Sequence, residues 1–212
     1  MHQHNVPWVE SLYFEEILKD KNLAPDEIDM VRSYHEDGFL IIRNAIDSKQ
    51  IDVALSQMQE DPELFSFEKP RAGQLWQKLN AVKEIAVNSK IMDTLKLLYD
   101  RTPIPFQTIN FKYGSRQKAH SDSIHFSSLP ERFMCGAWVA LEDIDENSGP
   151  VVYYPGSQKL QSYNYQDLSN KFLPGSALSP DFYHDHYEPF IENIWIVPTN
   201  TQSGMREDKL NS

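Results

Sequence analysis

Apolar residues in the first forty positions recur at the spacing of two amphipathic helices. A short helix is predicted around residues 8–18. A second helix is predicted to begin at Pro25, because acidic residues fill its first turn, where they complement the helix dipole. It is predicted to end at Gly38, since glycine readily adopts the left-handed conformation that follows a helix. The chain therefore opens with helices.

Two more helices are predicted before residue 100. Ser48 is predicted to cap the first of them and Pro62 to end it. The second covers about 82–99. Its apolar stripe consists of Ile85, Ile91, Leu95 and Leu98. Such a stripe predicts a helix that packs against a sheet.

Strand patterns predominate in the second half of the chain. Strands are predicted over 39–46, 105–114, 133–143 and 149–157. The second of these alternates, which places Thr108 and Asn110 on the same face. Helices followed mainly by strands indicate an α+β fold, in which the helices cover an antiparallel sheet or barrel.

The chain is predicted to form one domain over 1–212, a length sufficient for a sizeable core. Residues 158–190 are polar and rich in Tyr, which predicts a loop with short helices, and a short strand is predicted at 194–197. The leader 1–25 and the tail 200–212 are expected to be weakly ordered.

The acidic character of the chain limits its partners. The formal net charge is −11 and the pI is about 5.0. A chain of this charge disfavours polyanions, so nucleic acid and anionic membrane surfaces are excluded as expected partners. For the same reason a CoA-linked substrate is less expected than a free or carrier-linked small molecule. The oligomeric state is not indicated by the sequence.

Cysteine usage and hydropathy indicate the compartment. The single cysteine, Cys135, cannot form an intrachain disulfide, which suits a reducing compartment, and its apolar surroundings predict a buried, inert thiol. No apolar run approaches the ~18 residues that a membrane span needs. The N-terminus lacks the basic and apolar regions of a secretory signal. A cytoplasmic location is therefore predicted.

The segment AHSDSIHF contains the candidate metal ligands, His120 and Asp122. On an extended strand, residues i and i+2 point to the same face, so an imidazole and a carboxylate at this spacing can converge on one metal ion. They would supply two members of the 2-His-1-carboxylate facial triad of non-haem Fe(II) oxygenases. A His-x-Asp pair alone is weak evidence, because such pairs often arise by chance.

Several further motifs follow this pair in a fixed order. They are WVAL and Asp143 on an apolar run, the turn residues Glu146-Asn147 and Gly149-Pro150, and the triplet Pro155-Gly156-Ser157. Upstream, SYHEDGFLIIRNAID adds a helix that ends in Asp-Gly-Phe before a strand. Together these motifs, over roughly residues 28–160, closely resemble the phytanoyl-CoA dioxygenase family of Fe(II)- and 2-oxoglutarate-dependent oxygenases.

The resemblance implies a fold and a set of site residues. The fold is a double-stranded β-helix, or cupin-like jelly roll, with N-terminal helices packed on the sheet. His120 and Asp122 would bind Fe(II), and Asn110, with Thr108, would help to hold 2-oxoglutarate. His125 and Trp138 would lie beside the metal ligands or against the substrate. The implied co-substrates are 2-oxoglutarate and O₂, and the implied substrate is a small organic molecule.

The family pattern is incomplete in this chain. The family has a distal histidine on a late strand, followed by an Arg or Lys that pairs with 2-oxoglutarate. After residue 190 the chain has no histidine, and its basic residues there are Arg206 and Lys209. The favoured interpretation is that the chain ends before the last strands of the jelly roll. The alternative is that His184 or His186 is the distal ligand. Gln158 also replaces the histidine that usually follows Pro-Gly-Ser.

Three functional hypotheses follow. The first is an Fe(II)- and 2-oxoglutarate-dependent dioxygenase that hydroxylates a small organic substrate. The second is an incomplete, catalytically inactive remnant or binding module with the same fold, because a site with two ligands holds iron weakly. The third is a cupin-like isomerase or sugar-binding jelly roll, which leaves the ordered set of motifs unexplained.

Overall fold

The structure, a computed structural model, describes residues 6–115, 117, 120–124, 126, 128–160, 185 and 199–200. These residues form two compact units. The first unit takes its described residues from 1–40, 117–136 and 145–212, and the second from 41–116 and 137–144.

Two helices form the N-terminal part of the first unit. A 3₁₀ turn, Trp8–Glu10, precedes helices α1 (Phe14–Asp20) and α2 (Pro25–Asp37), and it packs against both. The predicted bounds of α2 are confirmed, because Gly38 follows it with φ 81°, in the left-handed region. The large apolar side chains buried here include Trp8, Val9, Phe14, Leu18, Val31 and Tyr34. Part of the leader that the sequence predicts to be weakly ordered therefore packs in the structure.

The Pro-Gly turn of the first unit packs on the end of α2. Strand β3 (Val152–Tyr153) pairs antiparallel with β4 (Thr199–Asn200), and the turn follows β3. The Gly156 N–H donates to the Asp37 carbonyl at 2.7 Å, and the Tyr153 hydroxyl donates to the Gly38 carbonyl at 3.1 Å. Burial raises the pKa of Tyr153. These bonds satisfy carbonyl groups that every helix leaves unpaired at its C-terminus.

The second unit contains the larger apolar cluster. Helices α3 (Ser48–Gln59) and α4 (Asn80–Ala86) pack against each other, and α5 (Ser89–Tyr99) follows. The buried members of the cluster are Ala54, Met58, Leu64, Ala72, Leu75, Ala81, Val82 and Ile85. Burying a large aliphatic side chain contributes about 1.5–3 kcal/mol, so this cluster is the main stabilising feature of the unit.

The helix ends correct two sequence predictions. Asp47, not Ser48, caps α3, because its Oδ1 accepts a hydrogen bond from the Lys49 N–H at 2.8 Å. The helix predicted over 82–99 is two helices, α4 and α5. It is interrupted because the side chain of Asn88 accepts from the Ile91 N–H at 3.2 Å, which starts a new helix.

The strands are much shorter than predicted. Strand β1 (Arg71–Gly73) pairs antiparallel with β2 (Ile109–Phe111), and β2 and β3 occupy only parts of the runs predicted over 105–114 and 149–157. The structure assigns no strand to 39–46 or to 133–143, all of which it describes. Strand propensity reflects how a side chain fits a paired, half-buried surface, so it does not by itself supply a partner.

Helices and small antiparallel sheets agree with the predicted α+β class. Within the described ranges the sheets have two strands each, so the jelly roll stays a prediction. Cys135 is exposed, so the prediction of a buried thiol is wrong. No helix in the described part of the chain is both long and apolar enough to cross a membrane.

Candidate metal site

His120 and Asp122 lie side by side in the first unit. The distance from His120 Nε2 to Asp122 Oδ1 is 3.3 Å. Asp122 begins a 3₁₀ turn, Asp122–Ile124, rather than lying on a strand, so the predicted backbone is wrong at this point. The Phe126 N–H closes the turn by donating to the Asp122 carbonyl at 3.0 Å. The two side chains therefore converge through a turn and not through the alternation of a strand.

The backbone at Gly136 lies near the Asp122 carboxylate. A Cβ atom added at Gly136 would lie 3.8 Å from Asp122 Oδ2, so the backbone at 136 runs alongside the carboxylate. The Asp122 side chain is 63% exposed and the His120 side chain 20%, which leaves the carboxylate open to an ion from solvent.

The donor pair fits part of a divalent-metal site. Two ligands bound at right angles, each at about 2.1 Å from one ion, lie about 3 Å apart. The 3.3 Å between His120 Nε2 and Asp122 Oδ1 is close to that separation. Where the structure describes the chain, no group of three His, Cys, Asp or Glu side chains is assembled for a metal. The other candidate ligands, His184 and His186, lie outside the described residues, as does His125.

Thr108 accepts two hydrogen bonds within the second unit. Its Oγ1 accepts a hydrogen bond from the Trp76 N–H at 3.3 Å, and its carbonyl accepts from the Gln74 N–H at 2.7 Å. These bonds hold the 3₁₀ turn Leu75–Gln77 against Thr108, the residue that immediately precedes β2. We therefore assign Thr108 a structural role beside the cofactor-binding role that the sequence predicts.

Asn110 is the other residue predicted to hold 2-oxoglutarate. It lies on β2 opposite Ala72, and its Oδ1 is buried without a hydrogen-bond partner among the described residues. Leaving such an atom unpaired costs about 1–3 kcal/mol. Rotation of the amide exchanges Oδ1 for the Nδ2 donor, which can bind a carboxylate oxygen such as those of 2-oxoglutarate.

Trp138 points away from the core of its unit. Its side chain is 58% exposed, whereas Val139 and Leu141, on the same segment, pack against the apolar cluster. A large exposed aromatic ring can contact a substrate, as the sequence predicts.

The second unit also has an open concavity of about 350 Å³. Its lining residues are Trp76, Gln77, Lys78, Leu79, Asn80 and Lys83.

The sequence does not reveal an ion pair that holds the segment after the His-x-Asp motif. Arg132 Nε donates to Glu10 Oε2 at 2.5 Å, and an Arg132 Nη donates to the Gln158 carbonyl. Burial raises the pKa of Glu10, although Arg132 and, more weakly, His35 oppose that shift. Glu10 and Arg132 are 122 positions apart, so no local pattern could have paired them. Arg132 binds the main-chain carbonyl of Gln158, so the residue type at 158 is no signal for the pair either.

Comparison with known proteins identifies the family. The family model described as phytanoyl-CoA dioxygenase (PhyH) matches residues 69–190. A probable phytanoyl-CoA dioxygenase of Caenorhabditis elegans is 26% identical over 69% of this chain and 43% of its own length. The peroxisomal phytanoyl-CoA dioxygenase of Bos taurus is 31% identical over 57% of this chain and 33% of its own. That of Mus musculus is 26% identical over 62% and 48%, respectively.

No solved structure matches the chain. The chain spans between a third and a half of the length of these three relatives. The matched residues 69–190 nevertheless include the His-x-Asp pair, the turn motifs and the Pro-Gly-Ser triplet, and they make up more than half of the 212 residues. The chain therefore belongs to the phytanoyl-CoA dioxygenase family.

Proposed function

We propose that this chain carries out Fe(II)- and 2-oxoglutarate-dependent hydroxylation of a small organic substrate. The observation that supports this most directly is the 3.3 Å separation of His120 Nε2 and Asp122 Oδ1, in a chain whose family is named for a dioxygenase. An imidazole and a carboxylate are the ligand types of the facial triad. The jelly roll is the fold we expect around them.

The residues of the chain would each have a distinct role. His120, through Nε2, and Asp122, through its carboxylate, would hold Fe(II). The bound iron would supply the activation of O₂, with 2-oxoglutarate converted to succinate and CO₂ while one oxygen atom enters a substrate C–H bond. Asn110 would donate a hydrogen bond to 2-oxoglutarate, and Trp138 would offer an apolar wall to the substrate. His125 would lie beside the metal ligands.

The third metal ligand is proposed to come from a later histidine. His184 and His186 are the candidates within this sequence. The relatives' names specify phytanoyl-CoA, whereas the net charge of −11 favours a substrate that is not a CoA ester. The cytoplasmic location also stays a prediction, since two relatives are named as peroxisomal.

Metal titration tests the proposal. Wild type, His120→Ala and Asp122→Asn are titrated anaerobically with Fe(II), and succinate formation from 2-oxoglutarate is then measured. Loss of a ligand is expected to weaken binding by more than about tenfold. Asp26→Asn is the matched control, because Asp26 is an exposed carboxylate in the first turn of α2.

The outcomes separate the hypotheses. Fe(II) binding that depends on His120 and Asp122, with succinate formation, supports the dioxygenase. Such binding without succinate formation, even with excess 2-oxoglutarate, supports the inactive binding module. Fe(II) affinity that is equal in wild type and His120→Ala shows that the proposed site is wrong.

A further inference from the structure

We propose that Arg132 is a positioning residue for the metal pair. Together with Glu10 and Gln158 it anchors the segment 120–136, which carries His120 and Asp122. The anchoring concerns the folded chain itself, and its effect on metal binding rests on the function proposed above. All of the residues involved belong to the first unit.

The guanidinium of Arg132 joins two distant parts of that unit. Its Nε donates to Glu10 Oε2, and one of its terminal nitrogens donates to the main-chain carbonyl of Gln158. The Glu10 side chain is 10% exposed and the Arg132 side chain 28%, so solvent screens the pair only weakly. Hydrogen bonds between charged groups in such surroundings are about twice as strong as neutral ones.

Both acceptors of Arg132 are themselves held in place. Glu10 ends the 3₁₀ turn whose Trp8 and Val9 are buried. The Gln158 side chain donates from Nε2 to the His35 carbonyl at 3.0 Å, at the C-terminal end of α2. A contact is an effective anchor only when its partner is fixed, and Arg132 has two such partners.

Arg132 has an unfavourable backbone conformation. Its φ is 72°, in the left-handed region, which is unfavourable for a residue with a side chain. The surrounding turn fixes this conformation, because Ser128 Oγ accepts from the Phe133 N–H at 2.9 Å and donates to the Pro130 carbonyl at 2.8 Å. Strain of this kind persists where side-chain contacts over-determine the backbone, and it occurs often at functional sites.

The anchored turn leads directly to the metal pair. Gly136, four positions after Arg132, lies alongside the Asp122 carboxylate, at 3.8 Å from Oδ2 to an added Cβ. On the other side, the Phe126 N–H holds the Asp122 carbonyl. The position of the backbone at 136 therefore depends on the turn that Arg132 fixes. If that turn opens, the backbone beside the carboxylate is free to move.

Hydrogen–deuterium exchange of peptides that cover 120–136, combined with Co(II) affinity, tests the proposal. Arg132→Ala is expected to raise exchange in this segment by more than about tenfold, because local opening becomes easier. It is also expected to weaken Co(II) binding by about tenfold or more, the effect typical of groups that orient metal ligands. Arg32→Ala is the matched control, since it removes an exposed Arg–Glu pair in the same unit and should change neither quantity by more than about twofold.

Two further variants separate the ion pair from backbone strain and from global unfolding. Arg132→Gly removes the side chain and relieves the strained φ. If the segment 120–136 exchanges as slowly in Arg132→Gly as in wild type, the guanidinium has no anchoring role and the proposal is overturned. Glu10→Gln retains a hydrogen-bond acceptor for Arg132. It should raise exchange less than Arg132→Ala but more than Arg32→Ala, and exchange equal to that of Arg32→Ala overturns the proposal even where Arg132→Ala does not fold.

Failure of the metal site is distinguishable from failure of the anchor. If wild type binds no Co(II), the proposed function is wrong, and the exchange data alone decide whether Arg132 anchors the segment. If wild type binds Co(II) and Arg132→Ala binds it equally well despite faster exchange, Arg132 is a structural residue only, and the positioning role is rejected.

Discussion

The Gln158 side chain lies directly over Gly38, so that a methyl group added at Gly38 would overlap the Gln158 amide. Gly38 has φ 81°, and the amide is held by its hydrogen bond to the His35 carbonyl. Gly38→Ala therefore meets both a strained backbone and a steric overlap. We expect it to lower the free energy of unfolding by about 3 kcal/mol, from about 1–2 for the backbone and the rest for the overlap. Urea denaturation measures this loss.

Gly149→Ala is the matched control for that substitution. Gly149 has φ 70°, but no atom lies within 4 Å of the position that a Cβ would occupy. It should therefore cost only the backbone strain, about 1–2 kcal/mol. Equal losses in the two variants would show that Gln158 moves aside without cost and does not cap α2.

Asn88 is expected to stabilise the second unit in two ways. Its Oδ1 caps α5, and its Nδ2 donates to the Ala45 carbonyl at 3.1 Å. Asn88→Ala should lower the free energy of unfolding by about 2 kcal/mol, because a cap and a tertiary hydrogen bond are both lost. Asp47→Ala removes a cap alone and should cost about 1 kcal/mol. A larger loss for Asp47→Ala than for Asn88→Ala, in thermal or urea unfolding, would contradict this reading of Asn88.

Local signals in the sequence were sufficient where one residue type has one dominant use. Pro25 and Gly38 mark the two ends of α2 as predicted. Proline favours the start of a helix and glycine its end because of their own backbone conformations. The sequence does not mark Asn88 as an interruption, since asparagine is tolerated in helices and its capping depends on the geometry that the chain adopts. The runs 39–46 and 133–143, which are predicted to be strands, do not form strands in the structure. Strand pairing depends on a partner and not on composition.

The candidate site was accessible from the sequence only in part. The His-x-Asp spacing predicts that His120 and Asp122 lie close together, and they do, although the backbone there is a turn. Two side chains separated by one residue stay close in several backbone conformations. The Glu10–Arg132 pair was not accessible. It joins residues 122 positions apart, and neither residue has a neighbour whose type indicates the other.

Asn110 and Thr108 should respond oppositely to removal of their polar atoms. Asn110→Leu eliminates a buried, unpaired Oδ1 and is expected to raise the free energy of unfolding by about 1 kcal/mol. Thr108→Val deprives the Trp76 N–H of its acceptor and should lower it by about 1 kcal/mol. Calorimetry measures both changes. If Asn110 binds 2-oxoglutarate, the stabilised variant should also bind it more weakly. Destabilisation by Asn110→Leu would indicate that the amide is paired in solution.

Two Glu–Arg pairs in the first unit should give pH dependences of opposite sign. Burial raises the pKa of Glu10 above its ordinary value of 4.5, whereas the hydrogen bonds from Arg32 lower the pKa of exposed Glu15. A raised pKa means that the folded chain binds the Glu10 proton more tightly than the unfolded chain does. The corresponding stabilisation is present below pH 4.5 and is lost as the pH rises through the raised pKa. For Glu15 the stabilisation is present above pH 4.5 and is lost as the pH falls through the lowered pKa.

Urea unfolding from pH 3 to 7 of wild type, Glu10→Gln and Glu15→Gln tests this difference. The stability of wild type relative to Glu10→Gln should fall as the pH rises, since the glutamine lacks the group that is protonated more readily in the folded state. Relative to Glu15→Gln it should rise with pH, because Arg32 favours the ionised carboxylate. The same sign for both pairs would mean that the Arg132 charge outweighs the burial of Glu10. The Glu10–Arg132 pair would then contribute to stability in the same way as the exposed Glu15–Arg32 pair, despite its burial.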